Sequence, residues 1–190
     1  MNTSDPTKPA LADALRESRV VHDRATIDRA IARVADDLRA EYGRDAEPPL
    51  FLTVMNGGML FAGGLALEAG IDFEFDYLHA TRYRGKTSGQ KLVWLHRPQT
   101  SLKGRRVLVV DDILDEGNTL VGIVDWCRDQ GAKDVRVAVL CRKVHDRCAP
   151  GAFADWIGLE VPDFYVYGYG MDFHEQGRNL PAIYAWEPKA

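Results

Sequence analysis

The chain has 190 residues, of which 46% are hydrophobic and 27% charged, with a formal net charge of −4 at pH 7. This length and balance predict one globular domain with a sizeable core. The negative charge argues against a general nucleic-acid binder, which usually carries a basic face. No apolar run approaches the roughly 20 residues that span a bilayer, and no signal-peptide pattern is present. We therefore expect neither a nucleic-acid nor a membrane partner.

The cysteines indicate a reducing compartment. Cys127, Cys141 and Cys148 are an odd number and lack a metal-ligand spacing. We therefore predict free thiols in a cytoplasmic protein.

The N-terminal part predicts a tail and two helices. Residues 1–10 are polar and contain two prolines, which predicts a disordered tail. A helical pattern follows from Leu11 to about Arg19. A second helix is predicted from about Asp23 to Tyr42, with Asp23 or Thr26 as its N-cap.

A glycine-rich turn follows the first buried strand. The strand is predicted from Leu50 to Met55, the turn is Asn56-Gly57-Gly58, and a helix runs from Met59 to Ala69. Such a turn can present the N–H groups of a helix start to an anion. A tight turn that only allows close packing fits the same pattern equally well.

A hairpin with a long polar connection comes next. Strands are predicted from Phe73 to Arg82 and from Lys91 to His96, joined by Tyr-Arg-Gly-Lys-Thr-Ser-Gly. The glycines, cations and hydroxyl groups predict a mobile segment. Taken alone, the segment fits a solvated hairpin tip.

An acidic loop interrupts the alternation of strand and helix. Val107–Val110 predicts a strand buried on both faces, and Asp111, Asp112, Asp115 and Glu116 follow it. A Gly-Asn-Thr turn then starts a helix that runs to about residue 130. Carboxylates beside a phosphate-binding turn indicate a site for a phosphorylated sugar and a metal, at the carboxyl end of a strand. An acidic surface loop that caps a helix is the alternative.

Two further segments carry candidate chemistry. Lys143 follows a predicted strand from Val135 to Cys141, at the edge of the sheet where ligands bind. Residues 161–172 alternate aromatic with small side chains, which fits either a core-facing ribbon or a stacking surface for a flat heterocycle. His145 and His174 are predicted to be surface or loop residues.

Four separated motifs resemble, in order, those of type I phosphoribosyltransferases. They are the Asn56-Gly57-Gly58 turn, Tyr83, the stretch Val-Val-Asp-Asp-Ile-Leu-Asp-Glu-Gly-Asn-Thr, and the group from Lys143 to Arg178. The last group is similar to the base-binding region of hypoxanthine-guanine phosphoribosyltransferases. The resemblance covers about residues 20–185.

The resemblance implies an α/β fold with a central, mostly parallel sheet flanked by helices and a flexible hairpin loop. The whole chain, residues 1–190, would form one domain. A small hood would come from about residues 11–25 and 155–190. The family also implies Mg²⁺ as cofactor, phosphoribosyl pyrophosphate (PRPP) and a 6-oxopurine as substrates, and a homodimer or homotetramer.

The resemblance also implies a role for each site residue. Asp111 and Asp112 would hold the ribose, and Asp115 would accept the proton from purine N7, with its proton affinity raised by its acidic neighbours. The remaining implied contacts are Glu116, Gly117, Asn118 and Thr119 to the 5′-phosphate; Asn56, Gly57 and Arg178 to pyrophosphate; Lys143, Tyr165 and Val166 to the purine; Tyr83 and Arg84 in the flexible loop; and Asp172 and Asp111 to the metal.

Four positions depart from the family pattern. Asn56 and Phe164 stand where Lys is common, Glu116 where Thr is common, and Arg82 where Ser is usual. Arg82 and Arg84 are candidates to replace the cation that is missing at Asn56.

Two alternative functions remain open at this point. One is transfer to another purine such as xanthine. The other is a PRPP-sensing regulator that binds nucleic acid, against which the net charge of −4 argues. A nucleotide-binding response module with an Asp pocket does not account for the aromatic segment.

Overall fold

The computed structural model describes residues 9–82 and 92–188. The elements are α1 Leu11–Arg16, β1 Ser18–His22, α2 Arg24–Tyr42, β2 Leu50–Val54, α3 Met59–Ala69, β3 Glu74–Arg82, β4 Leu92–His96, β5 Arg106–Leu114, α4 Asn118–Asp129, β6 Asp134–Lys143, β7 Trp156–Val161, β8 Tyr165–Tyr167 and β9 Ile183–Trp186.

A six-stranded sheet forms the centre of the fold, in the order β4-β3-β2-β5-β6-β7. All neighbouring strands in it are parallel except β3 and β4, which form the predicted antiparallel hairpin. This confirms the predicted α/β class. Because the carboxyl ends of parallel strands meet at one edge, the loops after β2 and β5 converge there.

Helices cover both faces of the central sheet. Alternate residues of β5 point to opposite faces, so Leu108 and Val110 pack towards α2 and α3. Val107 and Val109 pack towards α4. The run of apolar residues in this strand is therefore buried on both sides, as the sequence predicts. Asp23 caps α2, since its Oδ1 accepts a hydrogen bond from the Thr26 N–H at 2.8 Å.

A second, antiparallel sheet joins the two ends of the chain. Its order is β1-β9-β8, and the short helix α1 packs beside it. Here the structure corrects the sequence-based prediction of a helix to Arg19. The helix ends at Arg16, and the chain enters β1, in which Val20 pairs with Tyr184 of β9.

The strand that precedes the acidic loop is longer than predicted. It does not end at Val110, because Asp111 pairs with Val139 and Leu114 with Arg142 of β6. Asp111 and Asp112 are therefore held in regular strand backbone, and only Asp115 and Glu116 lie in the loop.

Two predictions from composition can be compared with the described part of the chain. No helix within residues 9–82 and 92–188 is long and apolar enough to cross a bilayer. All three cysteines are free, with Cys127 and Cys141 buried and Cys148 exposed.

Candidate active site

A cavity of about 990 Å³ lies at the carboxyl edge of the central sheet. The residues that line it include most of the predicted site: Asn56, Gly57, Asp111, Asp112, Asp115, Glu116, Gly117, Asn118, Thr119 and Arg178. A smaller cavity of about 480 Å³ is lined by Arg39, Tyr42 and Asp72, and no predicted site residue lines it. We therefore take the larger cavity as the candidate active site.

Asp111 and Asp112 form a closely coupled acidic pair on the wall of the cavity. The Asp112 N–H donates to Asp111 Oδ1 at 2.9 Å. Burial and the neighbouring charge of Asp112 raise the pKa of Asp111 well above its usual range. Burial also raises the pKa of Asp112, although its hydrogen bonds and Arg178 oppose this shift. Such a pair favours a ligand that brings hydroxyl donors or positive charge.

Asp115 is held by two side chains that lie far from it in the sequence. Lys143 Nζ lies 2.5 Å from Asp115 Oδ2, and His145 Nε2 lies 2.8 Å from Oδ1. Burial acts to raise the pKa of Asp115, but the hydrogen bonds of Lys143 and His145, together with the charge of Lys143, outweigh it and lower this pKa. The predicted increase in proton affinity is therefore wrong, because two donors face this carboxylate more closely than its acidic neighbours do.

His145 contacts a site residue that the sequence did not lead us to pair it with, since its Nε2 lies 2.8 Å from Asp115 Oδ1. It lies in a loop, as predicted, but its side chain is only 2% exposed. The sequence spacing could have predicted that His145 lies on the same side of the chain as Lys143, because residues two apart in an extended chain direct their side chains to the same side. His145 follows Lys143 by two positions just past the end of β6. His174 packs at 4.7 Å from the Phe173 ring and lies in a loop.

The residues predicted to contact the 5′-phosphate lie in the loop and helix that follow Asp115. Helix α4 starts at Asn118, and its N-cap, Gly117, has φ 76°. A side chain there would be strained, and its Cβ would overlap Ala152. Gly117, Asn118 and Thr119 line the cavity, and the N-terminus of a helix is a favourable place for an anion. Glu116 is exposed, and its Oε2 accepts from Asn118 Nδ2 at 3.1 Å.

The Asn56-Gly57 turn approaches the acidic pair closely. A Cβ added at Gly57 would overlap the carboxylate of Asp112. The peptide bond between Met55 and Asn56 is cis. Since Gly57 has no Cβ, the backbone of the turn lies directly beside Asp112 in the lining of the cavity.

Arg178 enters the cavity from the C-terminal segment. Its Nη1 donates to Gly170 O at 2.9 Å, and its Nη2 lies 2.8 Å from Asp172 Oδ1. The other oxygen of Asp172 accepts from the Glu175 N–H at 2.8 Å. Arg178 and Asp172 are thus paired with each other, and both contribute to the electrostatic field at Asp112.

The predicted purine contacts differ in exposure. Tyr165 is 39% exposed, and its hydroxyl accepts from the His174 N–H at 3.4 Å. The Val166 side chain is buried in the core, so only its backbone is available to a ligand. Neither residue lines the large cavity, although Asp172 and Arg178 are close enough to influence the Tyr165 hydroxyl. The predicted loop residues Tyr83 and Arg84 lie outside the described residues.

The described residues contain no group of three His, Cys, Asp or Glu side chains that could hold a metal by themselves. Mg²⁺ commonly binds through one or two carboxylates together with substrate phosphates and water. The carboxylates of Asp111 and Asp172 fit that mode of binding. Asp172 would then share its charge between Arg178 and the ion.

Comparison with known proteins agrees with this geometry. The family model described as the phosphoribosyl transferase domain matches residues 21–173. The chain belongs to this family and is a PRPP-dependent phosphoribosyltransferase.

Individual relatives cover most of the chain. It is 32% identical over 171 residues to the hypoxanthine-guanine phosphoribosyltransferase of Bacillus subtilis, covering 90% of this chain and 93% of the relative. It is 31% identical over 165 residues to the hypoxanthine-guanine-xanthine phosphoribosyltransferase of Tritrichomonas foetus, with 87% and 89% coverage. A solved structure of a hypoxanthine-guanine-xanthine phosphoribosyltransferase has a TM-score of 0.80 and 28% identity, covering 90% of this chain and 97% of that chain.

Proposed function

We propose that this enzyme transfers the 5-phosphoribosyl group of PRPP to hypoxanthine, guanine or both, releasing pyrophosphate. The observation that carries the proposal is the contact between Lys143 and Asp115, at 2.5 Å beside the cavity. It joins a cation suited to a purine 6-oxo group with a carboxylate suited to the N7 proton. The activities of the two relatives support the same choice of base.

One experiment tests this proposal directly. The purified protein is incubated with PRPP, Mg²⁺ and each of hypoxanthine, guanine, xanthine and adenine, and nucleotide formation is followed by chromatography. We expect IMP or GMP to form much faster than AMP. No product with any base would refute the proposal, whereas product from xanthine alone would change its substrate.

Different residues of the cavity would bind the ribose and the two phosphate-bearing ends of PRPP while the bond to pyrophosphate breaks. Loss of pyrophosphate leaves positive charge on the ribose, close to Asp111 and Asp112. Their carboxylates would bind the ribose hydroxyls and lie near that charge. Arg178 and the Asn56-Gly57 turn would hold the leaving pyrophosphate, and the first turn of α4 would bind the 5′-phosphate.

The base would be selected and deprotonated at the other side of the cavity. Lys143 Nζ donates to Asp115 Oδ2 in the structure. A 6-oxopurine offers Lys143 a carbonyl oxygen, which releases Oδ2 to accept the N7 proton. Tyr165 would stack on the base and the Val166 backbone would contact its edge.

We propose Mg²⁺ as the cofactor, bound to pyrophosphate with help from Asp111 and Asp172. When bound, it neutralises charge on the leaving group. The proposal is supported by the acidic pair on the cavity wall, because burial raises the pKa of both Asp111 and Asp112, and a nearby cation would stabilise their ionised forms.

Lys143→Ala should weaken the preference for oxo over amino purines. An adenine amino group would present a donor to the Lys143 ammonium, whereas hypoxanthine presents an acceptor. We expect the ratio of kcat/KM for hypoxanthine to that for adenine to fall about 10-fold to 100-fold, as for loss of a charged hydrogen bond.

Arg142→Ala is the matched control, because Arg142 is the neighbouring cation of β6 and pairs with Glu160 at the surface. The ratio of kcat/KM for hypoxanthine to that for adenine should be the same in Arg142→Ala as in wild type. An unchanged ratio in Lys143→Ala would remove Lys143 from base selection.

Two other functions compete with this proposal. Transfer to xanthine is supported by the Tritrichomonas foetus relative, and the four-base assay separates it. A PRPP-sensing regulator that binds nucleic acid is opposed by the net charge of −4. A filter-binding assay with RNA and DNA would detect it.

We also propose that residues 1–190 form one cytoplasmic domain, in which the small sheet serves as the hood over the cavity.

We further propose that the protein is a homodimer or homotetramer. An exposed apolar face supports the oligomer. Phe75 is 58% exposed, Met59 50% and Tyr77 42%, and they line a shallow groove of about 280 Å³. Such a contiguous face commonly marks a protein interface.

Phe75→Glu should dissociate the oligomer, because a carboxylate buried in this groove would lack a partner. Sedimentation velocity should show wild type at two or four times 21.2 kDa and the variant at one. Leu67→Glu is the control, since Leu67 is 87% exposed but lies outside the groove. A wild-type monomer would refute the oligomer, and dissociation by Leu67→Glu alone would relocate the interface.

A further inference from the structure

His145 is buried against Asp115 with both ring nitrogens engaged. Its Nε2 lies 2.8 Å from Asp115 Oδ1, and its Nδ1 accepts from the Arg147 backbone N–H at 3.0 Å. Since Nδ1 faces a donor, the ring proton belongs on Nε2, where it points at Asp115. A doubly protonated ring would set the Nδ1 proton against the Arg147 N–H.

The two oxygens of Asp115 have different partners, and only one of these partners would move during the proposed reaction. Lys143 holds Oδ2, and under the proposed function it leaves for the 6-oxo group of the base. His145 holds Oδ1, and nothing in that step requires it to leave. The carboxylate thus keeps one fixed hydrogen bond while its other oxygen becomes available.

We infer that His145 is a positioning residue for the proposed reaction, one that fixes the Asp115 carboxylate so that Oδ2 faces purine N7. The inference rests on the proposed function. Its physical basis is that a carboxylate held at one oxygen keeps its rotamer when the other oxygen loses its partner.

The loop that carries His145 is anchored at several points. Cys148 Sγ donates to Asp115 O at 3.6 Å, and the Ala149 N–H donates to Glu116 O at 2.7 Å. Arg147 forms a two-bond ion pair with Asp163, each bond 2.7 Å long. The backbone and side chain of Asp115 are thus both tied to residues 145–149.

The charged surroundings of Asp115 set the expected pH effect. Lys143 of β6 and His145 of the following loop contact Asp115 directly. Arg147 and Glu116 are the next charged groups, and Arg147 is paired with Asp163. Asp115 accepts a proton only when ionised. Loss of the His145 hydrogen bond raises its pKa, so the acidic limb of the kcat/KM profile moves to higher pH.

The test compares His145→Ala and His145→Gln with wild type, using PRPP, Mg²⁺ and the preferred base. We expect His145→Ala to lower kcat about threefold to tenfold, the value of one hydrogen bond, and to shift the acidic limb upward. His145→Gln retains an N–H donor at a similar reach and should restore both. PRPP affinity, measured by isothermal titration calorimetry, should be unchanged in each.

His22→Ala is the control, because His22 Nε2 lies 2.7 Å from Glu160 O, outside the cavity. It should leave kcat and the profile unchanged. Asp111 and Asp112 also titrate near the site, but they are common to all variants, so the differences between profiles report on Asp115.

Three outcomes would overturn the inference. One is a wild-type profile in His145→Ala. Another is a failure of His145→Gln to restore turnover while its fold, by circular dichroism, is intact. The third is a doubly protonated His145 ring at pH 7 in ¹⁵N spectra of the free enzyme. A wild-type enzyme inactive with all four bases refutes the proposed function itself, and with it this role in catalysis.

Discussion

Asp115→Asn is expected to lower kcat about 10²-fold to 10⁴-fold, the usual contribution of a general base. The amide keeps the shape of the side chain but cannot accept the N7 proton. PRPP binding should persist, because Asp111, Asp112 and the first turn of α4 are unchanged. Stopped-flow or steady-state rates with the preferred base would measure the first effect, and calorimetry with PRPP the second.

Glu116→Gln provides the matched control for Asp115→Asn. Glu116 is the adjacent carboxylate in the same loop, but its side chain is exposed and contacts Asn118. Glu116→Gln should leave kcat close to wild type, because the contact of Glu116 with the 5′-phosphate would use its backbone N–H, which glutamine keeps. Near-normal turnover in Asp115→Asn would exclude Asp115 as the proton acceptor, and equal losses in both variants would point to loop charge instead.

Gly58→Ala is expected to cause the second large effect, on stability and PRPP affinity together. A Cβ there would lie 2.7 Å from Val54 O, 2.8 Å from Val110 O and 3.2 Å from Asp111 Cα. All three are backbone atoms and cannot rotate away. We expect the free energy of unfolding to fall by about 1–3 kcal/mol, as in an overpacked core, and PRPP to bind more weakly as β2 and β5 separate.

Gly63→Ala tests whether loss of glycine alone explains such a result. Gly63 lies in α3, and a Cβ there meets nothing within 4 Å in one subunit, but it lines the groove proposed as the interface, so both glycine variants are compared in the monomeric Phe75→Glu background. This variant should gain about 0.5–1 kcal/mol, since alanine suits a helix interior better than glycine. Urea unfolding would measure the free energy of unfolding of both variants. Equal stability of Gly58→Ala and wild type would show that the turn can relax at no cost.

Local patterns predict the central fold well because its signals are short-range. The β2–turn–α3 and β5–loop–α4 units each combine an apolar run, small residues and helical spacing within about 20 residues. The strand β1 is missed because its five residues follow a helix directly, and its partner β9 is at the other end of the chain. Sequence spacing contains no information about that pairing.

The site is predicted less completely than the fold. The acidic pair and the phosphate turn are contiguous in sequence and lie together in the cavity. We predicted a raised pKa for Asp115, and the prediction is wrong. The pKa is lowered by Lys143 and His145, which contact Asp115 from β6 and from the loop after it. Charge counted along the chain is a poor guide when the nearest charges come from another strand.

The pairing of β1 with β9 gives synthesis of this protein a definite order. The strands of the central sheet, β2 to β7, are complete once residue 161 has left the ribosome, and they can pair while the rest is still being made. The strand β1 is synthesised before the central strands, but its partner, residues 183–186, is synthesised after them. The nascent chain therefore carries its acidic loop before the C-terminal segment that brings Arg178 to it has been made and β9 has paired with β1.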